Sequence, residues 1–141
     1  MSDTKHRGRI LAMQALCQWD VHHDESHESL QDLMASRRAS DAARAYATEL
    51  VLSFWKSRDE RDRLIESVAK NWKLSRISSV ERNVLRVAVL EMLAGAVPPR
   101  VAITEAIEIG REYGGADSPR FINGILDAVW KAISGRRESN E

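Results

Sequence analysis

Apolar residues recur along this chain at three- and four-residue steps, and no strand-like alternation lasts long enough to compete. From about Lys5 to Val21, the positions Ile10, Met13, Leu16, Cys17 and Val21 form one helical stripe. His22–Glu28 is acidic and histidine-rich and reads as a connection, after which Leu30, Leu33 and Met34 make a short second helix. Ser40-Asp41 offers an N-cap for a third, with Tyr46, Leu50, Val51 and Phe54 inward. The charged run Lys56–Arg63 reads as a turn or a solvated helix surface, and Leu64, Ile65, Val68 and Trp72 resume the period.

Leu74–Ser79 breaks the chain near its middle, with Ser78 or Ser79 placed to cap the next helix. Val80–Leu93 is almost wholly apolar, which predicts a buried central helix. Gly95 stops it and Pro98-Pro99 blocks its continuation. A sixth helix carries Val101, Ile103, Ala106, Ile107 and Ile109 and ends at Gly114-Gly115. Asp117-Ser118-Pro119 starts the last, which buries Ile122, Ile125, Leu126, Val129 and Ile133. The pattern predicts an all-α chain of about seven helices, in two halves (about 5–73 and 74–135) of one domain.

Composition narrows the function. The 141 residues are 43 % hydrophobic and 30 % charged, as in a globular domain rather than a disordered chain. Basic and acidic side chains number 21 each, so bulk charge does not draw this chain to nucleic acid. A single cysteine, Cys17, excludes an internal disulfide and a multi-thiolate zinc site, and reads as a small core hydrophobe. No apolar run follows the charged N-terminus and none approaches the roughly 20 residues of a membrane span, so a cytoplasmic protein without membrane contact is expected.

Candidate chemistry is sparse. His23 and His27, four apart around Asp24-Glu25, nearly match a helical zinc motif. Asp stands where Glu belongs and no third ligand is placed, so a polar connection is the simpler reading. No Walker loop or nucleophile-elbow serine is present, and neither enzyme activity nor a cofactor is expected. Two clusters stand out. Lys5, His6, Arg7 and Arg9 oppose the macrodipole of the first helix, a motive for an external anion or simply an ordinary soluble N-terminus. In Asp117–Gly124, Arg120 suits a phosphate, Phe121 a base stack and Asn123 a base edge; equally, Phe121 is core, Asn123 bonds a loop and Gly124 is a packing contact. Arg86 and Glu91 interrupt the central apolar helix and need partners if buried, although Arg86 could extend the positive surface.

Three runs, Glu81–Ala88 with Glu91-Met92-Leu93, Val101–Ile109, and Asp117-Ser118 with Phe121–Asp127, resemble the NusB family of transcription antitermination factors in order and spacing. Arg7-Gly8-Arg9 and Ala12–Leu16 fit that family's first helix. The resemblance implies two perpendicular three-helix halves and no catalysis. It implies binding of single-stranded boxA-type RNA from ribosomal RNA leader transcripts, together with the ribosomal protein NusE, within an RNA polymerase antitermination complex. The implied RNA-facing residues are Lys5, His6, Arg7, Arg9, Gln14, Arg86, Asp117, Ser118, Arg120, Phe121 and Asn123, and the implied NusE-facing ones are Glu81 and Arg82. Three positions depart from the family pattern: Cys17 replaces a helix-one aromatic, Leu90 a tyrosine and Thr104 an asparagine. The resemblance leaves monomer and homodimer open. Two other readings stay beside it: a module of the kind fused to ribosomal RNA cytosine methyltransferases, and an adaptor that binds protein only.

Overall fold

The computed structural model describes residues 2–70 and 73–139; Trp72 lies outside them. Six α-helices succeed one another: α1 (Ser2–His22), α2 (His27–Ser36), α3 (Asp41–Val68), α4 (Ser79–Ala94), α5 (Pro99–Tyr113) and α6 (Ser118–Ser139). A single 3-10 turn, Leu74–Arg76, precedes α4. The all-helical expectation holds, with six α-helices among the described residues instead of about seven. The difference lies at Lys56–Arg63, which continues α3 rather than breaking it. That run holds no glycine or proline, and its Arg and Glu residues favour helix. The only mark of the expected turn is a kink at Ser57 (φ −129°, ψ 18°), whose hydroxyl donates to the Ser53 carbonyl at 3.0 Å.

The caps agree with the sequence pattern. Ser26, Ser40 and Ser78 each accept the backbone N–H three residues on, opening α2, α3 and α4. Gly95 closes α4 at φ 69°, a left-handed conformation that glycine adopts without a Cβ penalty.

Two apolar clusters form the core. One gathers Leu11, Ala12, Ala15, Leu16 and Trp19 of α1 with Leu30 and Met34 of α2 and Leu50, Val51 and Phe54 of α3. The other gathers the end of α3 (Leu64, Ile65) and most of α4, α5 and α6. The kink in α3 therefore separates residues serving different clusters, and the segment before 74 contributes to both. Helix α1 serves both as well, since Ile10 and Met13 join the second cluster. Its buried surface is wider than one stripe and includes Trp19, whereas Val21, expected inside, is exposed. Helix α4 is the expected central element: every residue from Asn83 to Met92 is buried, with Val87 and Leu90 turned to the first cluster. Full burial of side chains such as Leu85 contributes about 1.5–3 kcal/mol each. No described helix is long and apolar enough to cross a membrane.

Candidate nucleic-acid interface

The cationic first turns of α1 divide into two environments. Lys5 is exposed, its Nζ 5.6 Å from the centre of the Tyr46 ring. Arg7 donates to the Arg38 carbonyl at 3.0 and 3.3 Å and keeps part of its surface open. Arg9 is different. It is 3 % exposed, and its Nε donates to both Glu91 oxygens at 2.8 and 3.0 Å. Burial alone would lower the Arg9 pKa, but the hydrogen bond and charge of Glu91 prevail and raise it. The Tyr46 hydroxyl donates to the same carboxylate. Burial, then that carboxylate, pushes the phenol well above its ordinary range. Arg9 thus belongs to the core, not to an exposed arm, because Glu91 on the apolar α4 needs a buried counter-charge. His6 Nδ1 lies 2.5 Å from Glu105 Oε2 on α5, so His6 also faces inward to a neighbour.

Arg86 is occupied too. It grips Asp62 with two bonds of 2.8 and 2.9 Å, and its Nη1 donates to Asp20 and Asn83 at 2.9 Å. Its guanidinium also lies over the Phe54 ring (4.9 Å) and the Trp19 ring (5.5 Å), which meet edge-on beside it. An extension of the positive surface by Arg86 is therefore not what the structure displays; every arm of the side chain is engaged. Burial, only partly offset by Arg86, raises the Asp62 pKa. Burial also disfavours the Asp20 carboxylate, but its bonds from Arg86 and Asn83 prevail and lower its pKa. The alternative offered by the sequence, that Arg86 and Glu91 pair with other helices, describes both.

The expected partner-facing residues form internal joints. Glu81 receives the Ser78 hydroxyl at 2.9 Å and the Ser118 hydroxyl at 2.8 Å, tying the starts of α4 and α6. Arg82 donates to Asp20 and to the Leu74 and Ile77 carbonyls at 3.0–3.2 Å. Ser118 is buried in this joint and also accepts the Gly115 N–H at 3.0 Å. Gln14 is partly buried, and its Oε1 has no hydrogen-bond partner among the described residues.

What remains open is a groove of about 650 Å³ between the end of α3 and the start of α6. Asp117, Arg120 and Phe121 line it together with Val68, Lys70 and Gly124. Three of the residues singled out by sequence thus meet on one surface. Asn123 is exposed on α6 but does not line the groove. Lys70 was not anticipated, because it lies in the turn just past α3 and only the packing of α3 against α6 brings it to the groove, which leaves no local signal. The groove sets two cations and the Asp117 carboxylate beside Phe121, whose ring is partly buried against the second cluster; cations beside an aromatic ring are a combination that can hold a phosphate and stack a base.

The His23–His27 segment does not build the helical metal motif. His23 lies beyond α1 at φ 56°, with its ring edge-on to Trp19. Asp24 accepts Ser26 N–H and the Ser29 hydroxyl, and Glu25 accepts Trp19 Nε1 and pairs with Arg58. Cys17 is half-buried against the second cluster, its Sγ 3.8 Å from Met13 Sδ.

Comparison with known proteins identifies the family. Residues 6–131 match the model of the NusB family. Transcription antitermination protein NusB of Anaeromyxobacter dehalogenans is 40 % identical over 142 residues, covering 97 % of each chain. That of Syntrophus aciditrophicus is 37 % identical over 134 residues, covering 94 % of this chain and 83 % of its own. Among solved structures, T. maritima NusB superposes with a TM-score of 0.79 at 35 % identity, over 90 % of each chain. A structure of antitermination factors NusB and NusE in complex with dsRNA gives 0.82 at 26 % identity, over 94 % of this chain and 99 % of that one. A match over nearly the whole chain, carried by a helical fold of the same shape, leaves one assignment: this chain belongs to the NusB family of transcription antitermination proteins.

Proposed function

We propose that this protein binds single-stranded boxA-type RNA together with NusE and serves transcription antitermination in ribosomal RNA synthesis. The observation that carries the reading is the α3–α6 groove, which Lys70, Arg120 and Phe121 line together. Lys5 and Arg7 supply the exposed remainder of the basic arm. The likeness to a solved complex of NusB and NusE with dsRNA supports NusE and RNA as partners, while the single-stranded boxA class is part of the proposal. Net charge is zero, and Arg9, Arg82 and Arg86 are consumed by internal carboxylates. The free chain therefore binds RNA weakly, and a basic ribosomal protein beside it strengthens the complex through a second contact.

Fluorescence anisotropy with a boxA-like RNA and a scrambled control, with and without NusE, tests this. Four phosphate contacts give a salt slope of about −2.8 and a roughly 50-fold loss of affinity between 50 and 200 mM salt. Phe121→Ala should weaken binding by about tenfold or more through lost stacking. Lys5→Ala with Arg7→Ala should weaken both RNAs and flatten the slope by about 1.4. NusE that leaves the dissociation constant unchanged refutes the composite site, and absence of binding to either RNA while NusE is captured favours a protein-only adaptor.

A further inference from the structure

A second cluster lies where α1 meets α5. His6 Nδ1, a Glu105 oxygen and a Glu108 oxygen all fall within 4.8 Å of one another. The two glutamates are three residues apart on α5 and share a face. Glu105 is largely buried and His6 partly so, which fixes two of the three donors by packing. Among the described residues Glu108 has neither an ion-pair nor a hydrogen-bond partner. The nearby cation is Arg9, 3.7 Å from Glu105, and it is already held by Glu91 at 2.8 Å. One guanidinium faces three carboxylates, Glu91, Glu105 and Glu108, which leaves two formal negative charges beside the His6 ring.

We propose that His6, Glu105 and Glu108 bind a divalent transition-metal ion that clamps the first turn of α1 to α5. The donor set decides the class of ion. One imidazole nitrogen with two carboxylates suits zinc and its neighbours, whereas magnesium and calcium prefer oxygen alone. Tetrahedral bonds of about 2.05 Å place donor atoms about 3.3 Å apart. The His6–Glu105 pair must open slightly and Glu108 must swing in by up to about 1.5 Å to reach the tetrahedral spacing, a side-chain adjustment for an exposed glutamate. A fourth position remains for water. The ion replaces the direct His6–Glu105 contact and balances the two excess negative charges.

Calorimetric titration of zinc chloride into the full chain tests the site. Wild type should bind one equivalent. His6→Ala and Glu108→Gln should each weaken binding by about tenfold or more, a ligand loss costing at least as much as an outer-shell change. The His23→Ala/His27→Ala variant, which removes the other paired histidines, should bind as wild type does. Zinc should also raise the melting temperature of wild type but not of Glu108→Gln, whose exposed side chain leaves the fold intact. No saturable heat in wild type, equal affinity in Glu108→Gln, or loss of binding in the His23/His27 variant overturns the assignment.

Discussion

Arg9 distinguishes a core residue from an RNA contact, and one substitution decides which it is. Arg9 and Glu91 are 3 % and 2 % exposed and make a two-bond contact, with the Tyr46 hydroxyl on the same carboxylate. The walls around them, Met13, Val84, Val87, Ala88, Ala102 and Ala106, are apolar. The void left there is about 10 Å³, too little to admit a water reliably. Arg9→Met keeps the volume but strands the Glu91 carboxylate away from solvent. Removing one partner of such a pair costs about 3–5 kcal/mol. A chain of this size has about 7–20 kcal/mol in total, so the loss is a large share of its stability. Urea unfolding should lose that amount, and the melting temperature should fall by about 10 °C. Arg9→Met with Glu91→Leu and Tyr46→Phe removes the three hydrogen-bonded members together, leaving only the more distant and partly exposed Glu105, and should recover most of the loss. RNA affinity, measured well below the melting temperature, should stay within twofold for Arg9→Met. A cost below about 1 kcal/mol combined with lost RNA binding refutes the buried-pair argument and returns Arg9 to the interface.

The same packing sets three further outcomes. Tyr46 is held above its ordinary pKa of 10.0 by burial and by Glu91, so the neutral phenol stabilises the fold below pH 10. That contribution is lost as pH rises further, at up to about 1.4 kcal/mol per pH unit, and Tyr46→Phe should flatten this alkaline limb in pH-dependent urea melts. Gly8→Ala would set a Cβ 2.9 Å from Tyr46 Cδ2 and 3.1 Å from the Ala43 carbonyl. Overpacking there should cost about 1–3 kcal/mol despite the better helix propensity, read by thermal unfolding. Gly124→Ala meets nothing within 4 Å and should raise stability by up to about 1 kcal/mol. If RNA approaches the α6 groove closely, the same variant should weaken anisotropy-detected binding while it stabilises the free chain.

The helices were legible because their causes are local. Ser40 and Ser78 cap, Gly95 stops, and the unbroken apolar run of α4 can only be buried. The kink at Ser57 was harder to see, since a charged surface stretch looks the same whether the helix bends or ends. Site residues were less legible for a different reason. Lys5, Arg7, Arg9 and Arg86 are equally cationic in sequence, and only tertiary partners sort them. Arg9 meets Glu91 across 82 positions and Arg86 meets Asp20 across 66, separations that no local pattern encodes. Glu91 itself carried the clue: a carboxylate within an apolar helix must find a cation, and a cation on α1 was the nearest supply in the fold.

That sorting bears on how the protein works. Each arginine drawn inward is one fewer phosphate contact, yet each also pins an element that carries the surface. Arg9 ties α1 to α4, Arg86 ties α4 to α1 and α3, and Ser118 with Glu81 ties α6 to α4. Lys5 and Arg7 thus sit on a helix locked to the one that also locks the groove. The chain trades bulk electrostatic affinity for fixed positions of a few cations and one ring. Under the proposed function, such a surface should bind RNA slowly and weakly by itself, with little non-specific capture of other RNA. On that proposal selectivity depends on a partner whose docking adds charge at a defined place, and Arg120→Lys should cost little in free-chain stability while lowering RNA affinity in the anisotropy assay, because a planar fork matches a phosphate better than a point charge does.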